Sequence, residues 1–370
     1  MLKALDKYLN CGILAHGCAK AHCPKCNHSE LIAFSCKRRC LCPSCDAKRA
    51  AIFAENLCDN VLLKFAHRHG VFTVPKRIRP FFKFNRSLHQ ILYSAAWQSY
   101  RQLVLEKYPT GATGAVMALH TAGDLLTLHP HIHTLLLAGA VLPNGLFKPL
   151  AIDPVRLQQL FANKVLSALV KQDLLEQEAA DSIKSWPHSG FNVFLGETIS
   201  PSDTAQLLFT ARYLKKCPVS NKRLSLAEQN GETTVHYSTY RNGAKQTRRF
   251  TPLGFIAELQ QHLPDMWEQT TRYYGIYAAR TRGVANKRRR SKAAVSNISE
   301  PKHKASQDWT ALIKRIFELE PLVCPNCGNS MAIKAFITNP HEIQRLCDNL
   351  KIVSWRAPPP IKCSSIQQAA

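Results

Sequence analysis

A chain of 370 residues with 49 Lys+Arg against 25 Asp+Glu carries a formal net charge of +24, the balance of a protein whose partner is a polyanion or an anionic membrane surface. With 45% hydrophobic residues it has the apolar material for a folded core, which excludes a disordered basic tail, and its length suggests two or three domains. It has no long uninterrupted apolar stretch, and residues 1–6 lack the charged-then-apolar layout of a secretory signal, so the expectation is a soluble, cytoplasmic protein with no membrane partner.

Of the 14 cysteines, eight fall between Cys11 and Cys45, interleaved with His16, His22 and His28. In a chain without an export signal that clustering favours zinc over cystines. The spacing Cys23-x-x-Cys26, fifteen residues, then Cys42-x-x-Cys45 predicts one tetrahedral Zn²⁺ site. Each knuckle turns two thiolates toward one point, and a small module needs the metal because it cannot bury enough core to fold alone. Cys11, His16, Cys18, Cys36 and Cys40 are left over, to form a second site or to exchange with the first four. Arg38 and Arg39, with Lys37, Lys48 and Arg49, decorate the module and mark it as facing nucleic acid.

Residues 46–66 then have helical apolar spacing, 70–75 read as a short strand stopped by Pro75, and 87–108 are again helical, with Leu88, Ile91, Leu92, Ala95 and Ala96 on a common side. After Gly111 and Gly114, residues 115–121 read as a strand running into a turn at Gly123-Asp124. The next strand, antiparallel to it, bears His129-Pro130-His131-Ile132-His133. Strand side chains alternate, so His131 and His133 emerge on one face. A divalent cation needs lone pairs converging from one side, with positions left open for a substrate oxygen, and two imidazoles two strand positions apart supply that clamp. His120, on the first arm of the hairpin, is the candidate third ligand. Its competitor is His129, disfavoured because Pro130 places it at the strand's entrance.

Asp153-Pro154 opens a long helix with an aspartate N-cap and proline in the first turn, its buried stripe formed by Leu157, Leu160, Phe161, Val165 and Leu169. Residues 200–203 are a second start signal, for a helix over 206–216 ended by Pro218. Leu207, Ala211 and Leu214 share its stripe; Tyr213 lies off it, with Lys215 and Lys216 just beyond. Residues 269–299 contain no acidic side chain, and Arg280, Arg282, Arg288 and Arg289 stand near Tyr273, Tyr274 and Tyr277. That mixture suits single-stranded nucleic acid, since rings stack on bases while cations follow the backbone. Residues 309–317 read as an amphipathic helix, and Cys324-Pro325-Asn326-Cys327-Gly328 as a lone knuckle, half a zinc site, with Cys347 or His341 open as completions.

Four segments taken together, 34–45, 129–133, 211–214 with 218–224, and 324–328, resemble a transposase of the insertion sequence 91 family, within the HUH endonuclease superfamily. The resemblance covers nearly the whole chain. It implies an α+β fold, an HUH nuclease domain with a central antiparallel β-sheet flanked by helices, preceded by a small zinc-ribbon-like module. The organisation expected is a zinc- and DNA-binding module over 1–50, a catalytic domain over 51–225, a basic DNA-binding extension over 226–300 and a C-terminal helical segment with a lone knuckle over 301–370. Carried over residue by residue, His131 and His133 match the paired histidines and Tyr213 matches the nucleophilic tyrosine. Where some members place a second tyrosine four residues earlier, this chain has Phe209, and so resembles the one-tyrosine branch. A Tyr-x-x-x-Lys pattern of related nucleases is not met, because position 217 is Cys217; whether Lys216 fills that role is open.

The chemistry implied is rolling-circle-like transposition by transesterification of single-stranded DNA at element ends and target DNA. A cation polarises the scissile phosphate, Tyr213 attacks, and a 5′-phosphotyrosine forms as a 3′-hydroxyl leaves. Zn²⁺ is the expected structural ion and Mg²⁺ or Mn²⁺ the catalytic one, histidine favouring transition metals and magnesium preferring oxygen ligands. Two rivals stand beside this reading. A non-catalytic zinc-finger DNA-binding regulator explains the charge and the cysteines but leaves the histidine pair and the tyrosine helix without a role. A hydrolase acting through activated water has no use for Tyr213.

Overall fold

The computed structural model of the protein describes residues 2–186, 189–229, 231–284 and 322–353. It is mixed α+β, and the chain divides into two compact units, residues 1–53 with 302–370, and residues 54–301. Among the described residues no helix is long and apolar enough to cross a membrane.

The first unit contains helix α1 (Leu2–Leu9), a hairpin of β1 (Cys18–His22) and β2 (Ser29–Ala33), and helix α2 (Pro43–Asn60), within which the division falls. β1 is the middle strand. It pairs antiparallel with β2 on one side and on the other with β13 (Ala332–Ile337), from the C-terminal part of the chain. The closing helix α9 (Pro340–Leu350) is capped by Asn339, whose side chain accepts from the His341 N–H at 2.9 Å. Its Ile343 and Cys347 are buried with Leu14, Cys18, Leu31 and Ile337. This corrects the expectation of a separate C-terminal segment over 301–370: residues 322–353 complete the sheet and core of the N-terminal module. A short strand whose neighbour lies at the far end of the chain leaves no local pattern from which the pairing could be read.

The second unit is built on an antiparallel five-stranded sheet in the order β12-β4-β5-β3-β8, where β3 is His67–Thr73, β4 Gly114–Ala122, β5 Leu128–Leu137, β8 Asn192–Ile199 and β12 Thr271–Gly275. Alternation decides its faces. Ala115, Met117 and Leu119 of β4, Ile132 and Leu136 of β5 and Phe72 of β3 enter one core with two helices, α4 (His89–Lys107) and α5 (Pro154–Val170). Asp153 caps α5 by accepting from the Val155 N–H at 2.9 Å, and Pro154 takes the first turn, where its missing donor costs nothing. Leu157, Phe161, Val165 and Leu169 are buried as the spacing predicts, joined by Leu166, while Leu160 packs at the margin. Residues 224–250 form a separate antiparallel meander of β9 (Leu224–Gln229), β10 (Glu232–Arg241) and β11 (Ala244–Phe250), which the sequence reading did not anticipate.

The aromatic residues read as a base-stacking platform belong to the main sheet and its core. Tyr273 and Tyr274 lie in β12, paired to β4; Tyr274 stacks on Trp97 of α4 at 5.5 Å, and buried Tyr277 has its hydroxyl 2.6 Å from His67 Nε2. Arg282 lies 5.7 Å over the Tyr273 ring and its Nε–H donates to the Tyr277 carbonyl at 3.0 Å; Arg280 is exposed. Composition alone does not distinguish a ring packed in an edge strand from one offered to a base. Arg288, Arg289 and the helix expected over 309–317 lie outside the described residues.

Candidate metal centres and active site

The β4–β5 register sets His120 opposite His131 and Ala118 opposite His133, while β3 places Val71 opposite His133 and His69 opposite Leu135. Cross-strand partners share a face. His69, His120, His131 and His133 therefore all rise on the side of the sheet turned away from α4 and α5. The ligand atoms of His120, His131 and His133 lie within 4.8 Å of one another, with ring centroids 4.3 Å apart for His120 and His133 and 4.8 Å for His131 and His133. Nitrogens bonded to one cation at about 2.1 Å stand about 3.0–3.4 Å apart, so small side-chain movements close this cluster on an ion.

Hydrogen bonds select the free lone pairs. A carbonyl only accepts, so His131 donates from Nδ1 to the His129 carbonyl at 2.6 Å and His120 from Nε2 to the Leu214 carbonyl at 3.3 Å. Nε2 of His131 and Nδ1 of His120 are thereby left to bind. His133 Nδ1 lies 3.1 Å from His69 Nε2, the two rings stacked within 4°. With His133 donating, its Nε2 is also available. Burial lowers all four pKa values, His120 to about 3 and His131, His133 and His69 below the ordinary imidazole value; neighbouring imidazoles add to the effect at His120 and His133. Neutral imidazole is the ligating form, so this donor set fits a divalent cation.

Tyr213 ends helix α7 (Thr204–Tyr213), which Asp203 caps by accepting from the Gln206 N–H at 3.0 Å. Leu207, Ala211 and Leu214 are buried, and Tyr213, off that stripe, is half-buried. Its ring lies 5.0 Å from that of His133, 6.0 Å from His120 and 6.1 Å from His69. Because the Leu214 carbonyl receives the His120 proton, the same turn that presents the tyrosine is tied to the sheet. Lys216 Nζ sits 4.8 Å over the Tyr213 ring, and the charges of Lys216 and Arg79 both act on His131. Lys215 is half-buried, and Phe209 is exposed.

His129 is not among the three whose ligand atoms converge; burial lowers its pKa to about 4. His69 is the residue that the sequence reading missed. Its signal was present: β3 begins at His67, so His67-x-His69 has the same period-two spacing as His131-x-His133.

The four cysteines expected in one site do not meet. Cys42 and Cys45 converge with Cys11 and Cys36, whereas Cys23 and Cys26 converge with Cys324 and Cys327. In the first group Cys11 Sγ is 3.7 Å from Cys42 Sγ and 3.9 Å from Cys45 Sγ, and Cys36 Sγ is 3.6 Å from Cys45 Sγ. Thiolates bonded to zinc at about 2.3 Å stand about 3.8 Å apart at tetrahedral angles, against about 2.05 Å in a disulfide. The loop between Cys36 and Cys42 is sharply turned. Lys37 and Cys40 adopt left-handed φ of 54° and 58°, and the Asp46 carboxylate holds the loop by accepting from the Cys40 N–H at 2.6 Å. Backbone donors serve the sulfurs, Cys36 N–H to Cys11 Sγ at 3.3 Å and Arg38 N–H to Cys36 Sγ at 3.4 Å. Hydrogen bonding from Cys36 and then Cys42 holds the Cys11 thiol at about 7, and hydrogen bonds from Cys11, Cys36 and Cys42 draw Cys45 far below its usual value. Arg38 and Arg39 are half-buried on this loop. Cys18 and Cys347 share an apolar cluster, where burial raises their thiols.

Two family models match this chain, one described as "Transposase zinc-binding domain" over residues 1–74 and one described as "Putative transposase" over residues 114–285. The chain belongs to the insertion sequence 91 family of transposases. Its relatives include the transposase for insertion sequence element IS801 of Pseudomonas savastanoi pv. phaseolicola, 25% identical over 356 residues that cover 91% of this chain and 84% of that protein. The protein described as "Putative transposase y4qJ" of Sinorhizobium fredii (strain NBRC 101917 / NGR234) is 25% identical over 344 residues, 86% of this chain and 85% of the relative. No solved structure matches significantly. In this transposase the matched zinc-binding region holds the complete tetrad Cys11, Cys36, Cys42 and Cys45, and the second matched region holds His120, His131, His133 and Tyr213.

Proposed function

We propose that this transposase nicks and rejoins single-stranded DNA through a covalent 5′-phosphotyrosine on Tyr213, in rolling-circle-like transposition of the HUH type. The observation that carries the reading is the Tyr213 ring standing 5.0 Å from His133, over three converging neutral imidazoles. Held by His120, His131 and His133, Mg²⁺ or Mn²⁺ would supply Lewis-acid polarisation of the scissile phosphate, the nitrogen donors favouring manganese.

The phenol oxygen of Tyr213 bonds to phosphorus as the bond to the 3′-oxygen breaks; the phenol proton leaves to solvent, and the departing oxygen takes a proton from solvent to become a 3′-hydroxyl. One phosphate ester replaces another, so a later 3′-hydroxyl can reverse the step without an external energy source. Lys216, over the Tyr213 ring, favours the approach of the phosphate, and the charge of Arg79, felt at His129 and His131, adds to it. The capped helix α7 and the His120 bond to Leu214 hold the nucleophile in place, and in-line geometry is most of what phosphoryl transfer requires of a protein. Lys215, Arg280, Arg282, Arg38 and Arg39 are assigned to the DNA backbone of element ends and target.

The test is to incubate the protein with single-stranded oligonucleotides carrying element ends and Mn²⁺, then look for a protein–DNA adduct that survives denaturation. Tyr213→Phe is expected to abolish the adduct and retain DNA binding. An unchanged adduct moves the nucleophile elsewhere; cleavage without an adduct in the wild type means attack by water.

A further inference from the structure

Cys324 and Cys327 lie beyond the matched zinc-binding region, yet their thiols face those of Cys23 and Cys26. We propose that the transposase binds two zinc ions, and that the second, held by Cys23, Cys26, Cys324 and Cys327, clamps the C-terminal segment onto the N-terminal module, so that the zinc-binding unit is assembled from two distant parts of the chain.

The geometry is that of a tetrathiolate site. Cys23 Sγ is 3.5 Å from Cys327 Sγ and Cys26 Sγ is 3.4 Å from Cys324 Sγ, all four sulfurs lie within 4.8 Å, and all four cysteines are free. These spacings are far too long for disulfides and close to the edge of a zinc tetrahedron.

The two half-sites are also copies of one another. Cys23-Pro24-Lys25-Cys26-Asn27 and Cys324-Pro325-Asn326-Cys327-Gly328 share the pattern Cys-Pro-x-Cys followed by a residue with left-handed φ, 58° at Asn27 and 71° at Gly328. In each, the fifth residue's N–H donates to the carbonyl of the first cysteine, Asn27 to Cys23 at 3.0 Å and Gly328 to Cys324 at 2.9 Å. In each, the N–H of the first cysteine donates to the carbonyl of the sixth residue, Cys23 to His28 and Cys324 to Asn329, both at 2.8 Å. One such turn presents two thiolates, and structural zinc takes four ligands.

The strands bring the turns together. β1 runs into the first knuckle and β13 runs out of the second, and their antiparallel ladder pairs His22 with Ala332 at the knuckle end. The buried apolar group beside the sulfurs is small, Ala21 and Met331 with Cys23 and Cys324, so a metal crosslink adds much to the hold that packing gives. Neither completion left open for the lone knuckle applies: Cys347 is buried with Cys18, and His341 is exposed in the first turn of α9.

The experiment counts metal on the purified full-length chain by elemental analysis and native mass spectrometry. Two zinc ions per chain are expected, falling to one in the double variant Cys324→Ser/Cys327→Ser and to one in Cys42→Ser/Cys45→Ser. Cys327→His, which keeps four ligands, should restore the second ion, and on cobalt substitution its sulfur-to-metal charge-transfer band should be weaker than the wild type's. A single zinc in the wild type, two ions retained in Cys324→Ser/Cys327→Ser, or a cobalt spectrum unchanged by Cys327→His overturns the proposal.

Discussion

The histidine centre and the thiolate centres of this protein are put together in opposite ways. His120, His131 and His133 come from one hairpin, where the β4–β5 register and the pleat place three imidazoles on one face. The cysteine tetrads gather thiols from separate stretches of chain, Cys23 meeting Cys327 and Cys11 meeting Cys45. A site within one hairpin is held by the backbone ladder and persists without its ion. A site between distant turns depends on the ion to hold those turns together.

Metal removal tests that contrast most severely. Structural zinc contributes about 10–16 kcal/mol in small modules, as much as the whole stability of a typical domain at about 5–15 kcal/mol. Stripping zinc with a strong chelator is expected to leave the amides of β1, β2 and β13 unprotected in hydrogen exchange while those of β4 and β5 stay protected. Protection of β1 in zinc-free protein would break the contrast. Next in size, His133→Ala should slow adduct formation by about a thousandfold or more, roughly 4 kcal/mol of barrier. Single-turnover kinetics with Mn²⁺ measure this, and a loss under tenfold argues against the histidine centre.

A smaller effect comes from His67, buried between the Phe65 carbonyl and the Tyr277 hydroxyl, whose pKa burial lowers to about 4. Its folded value lies below the unfolded value of about 6.5, so on acidification the unfolded chain takes the proton first. The stability His67 contributes is complete above about pH 6.5 and falls as pH drops, by about 3 kcal/mol at pH 4. Urea unfolding at pH 7 and pH 4.5 should show His67→Gln with a flatter profile than the wild type; parallel profiles would remove His67 as the cause. Smallest, His69→Ala should weaken Mn²⁺ binding by about 10–100-fold, the usual cost of losing the partner that orients a ligating histidine, without changing zinc content. Unchanged Mn²⁺ affinity would show that His133 needs no such support.

What could be read in advance follows the same division. Period-two spacing exposed the His131 and His133 pair, and the length of the turn brought His120 beside them, because both are local geometry. His69 escaped because the strand was read from Gly70, after the residues that mattered. The Cys-x-x-Cys spacing marked pairs of thiols that do converge but grouped Cys23 and Cys26 with Cys42 and Cys45, which lie in separate clusters. Loop-closure entropy rises only slowly with loop length, so a distant knuckle is hardly less available than a near one. Tyr273, Tyr274 and Tyr277 misled for a related reason: an edge strand is recognised by its neighbour, here β4, and nothing in the basic run names that neighbour.

The order of residues alone determined the polyanion-seeking charge, the three Cys-x-x-Cys thiol pairs, the helix start signals at Asp153 and over 200–203, and the imidazole pair on one strand face. Those are consequences of bond geometry and of contacts between residues a few positions apart. Only the tertiary structure decided which thiols converge and that the ring of Tyr213 faces the imidazoles. An off-stripe helical residue is directed merely away from its own helix's core, and it took the docking of α7 beside the sheet, with β13 laid along β1, to choose what each half-site meets.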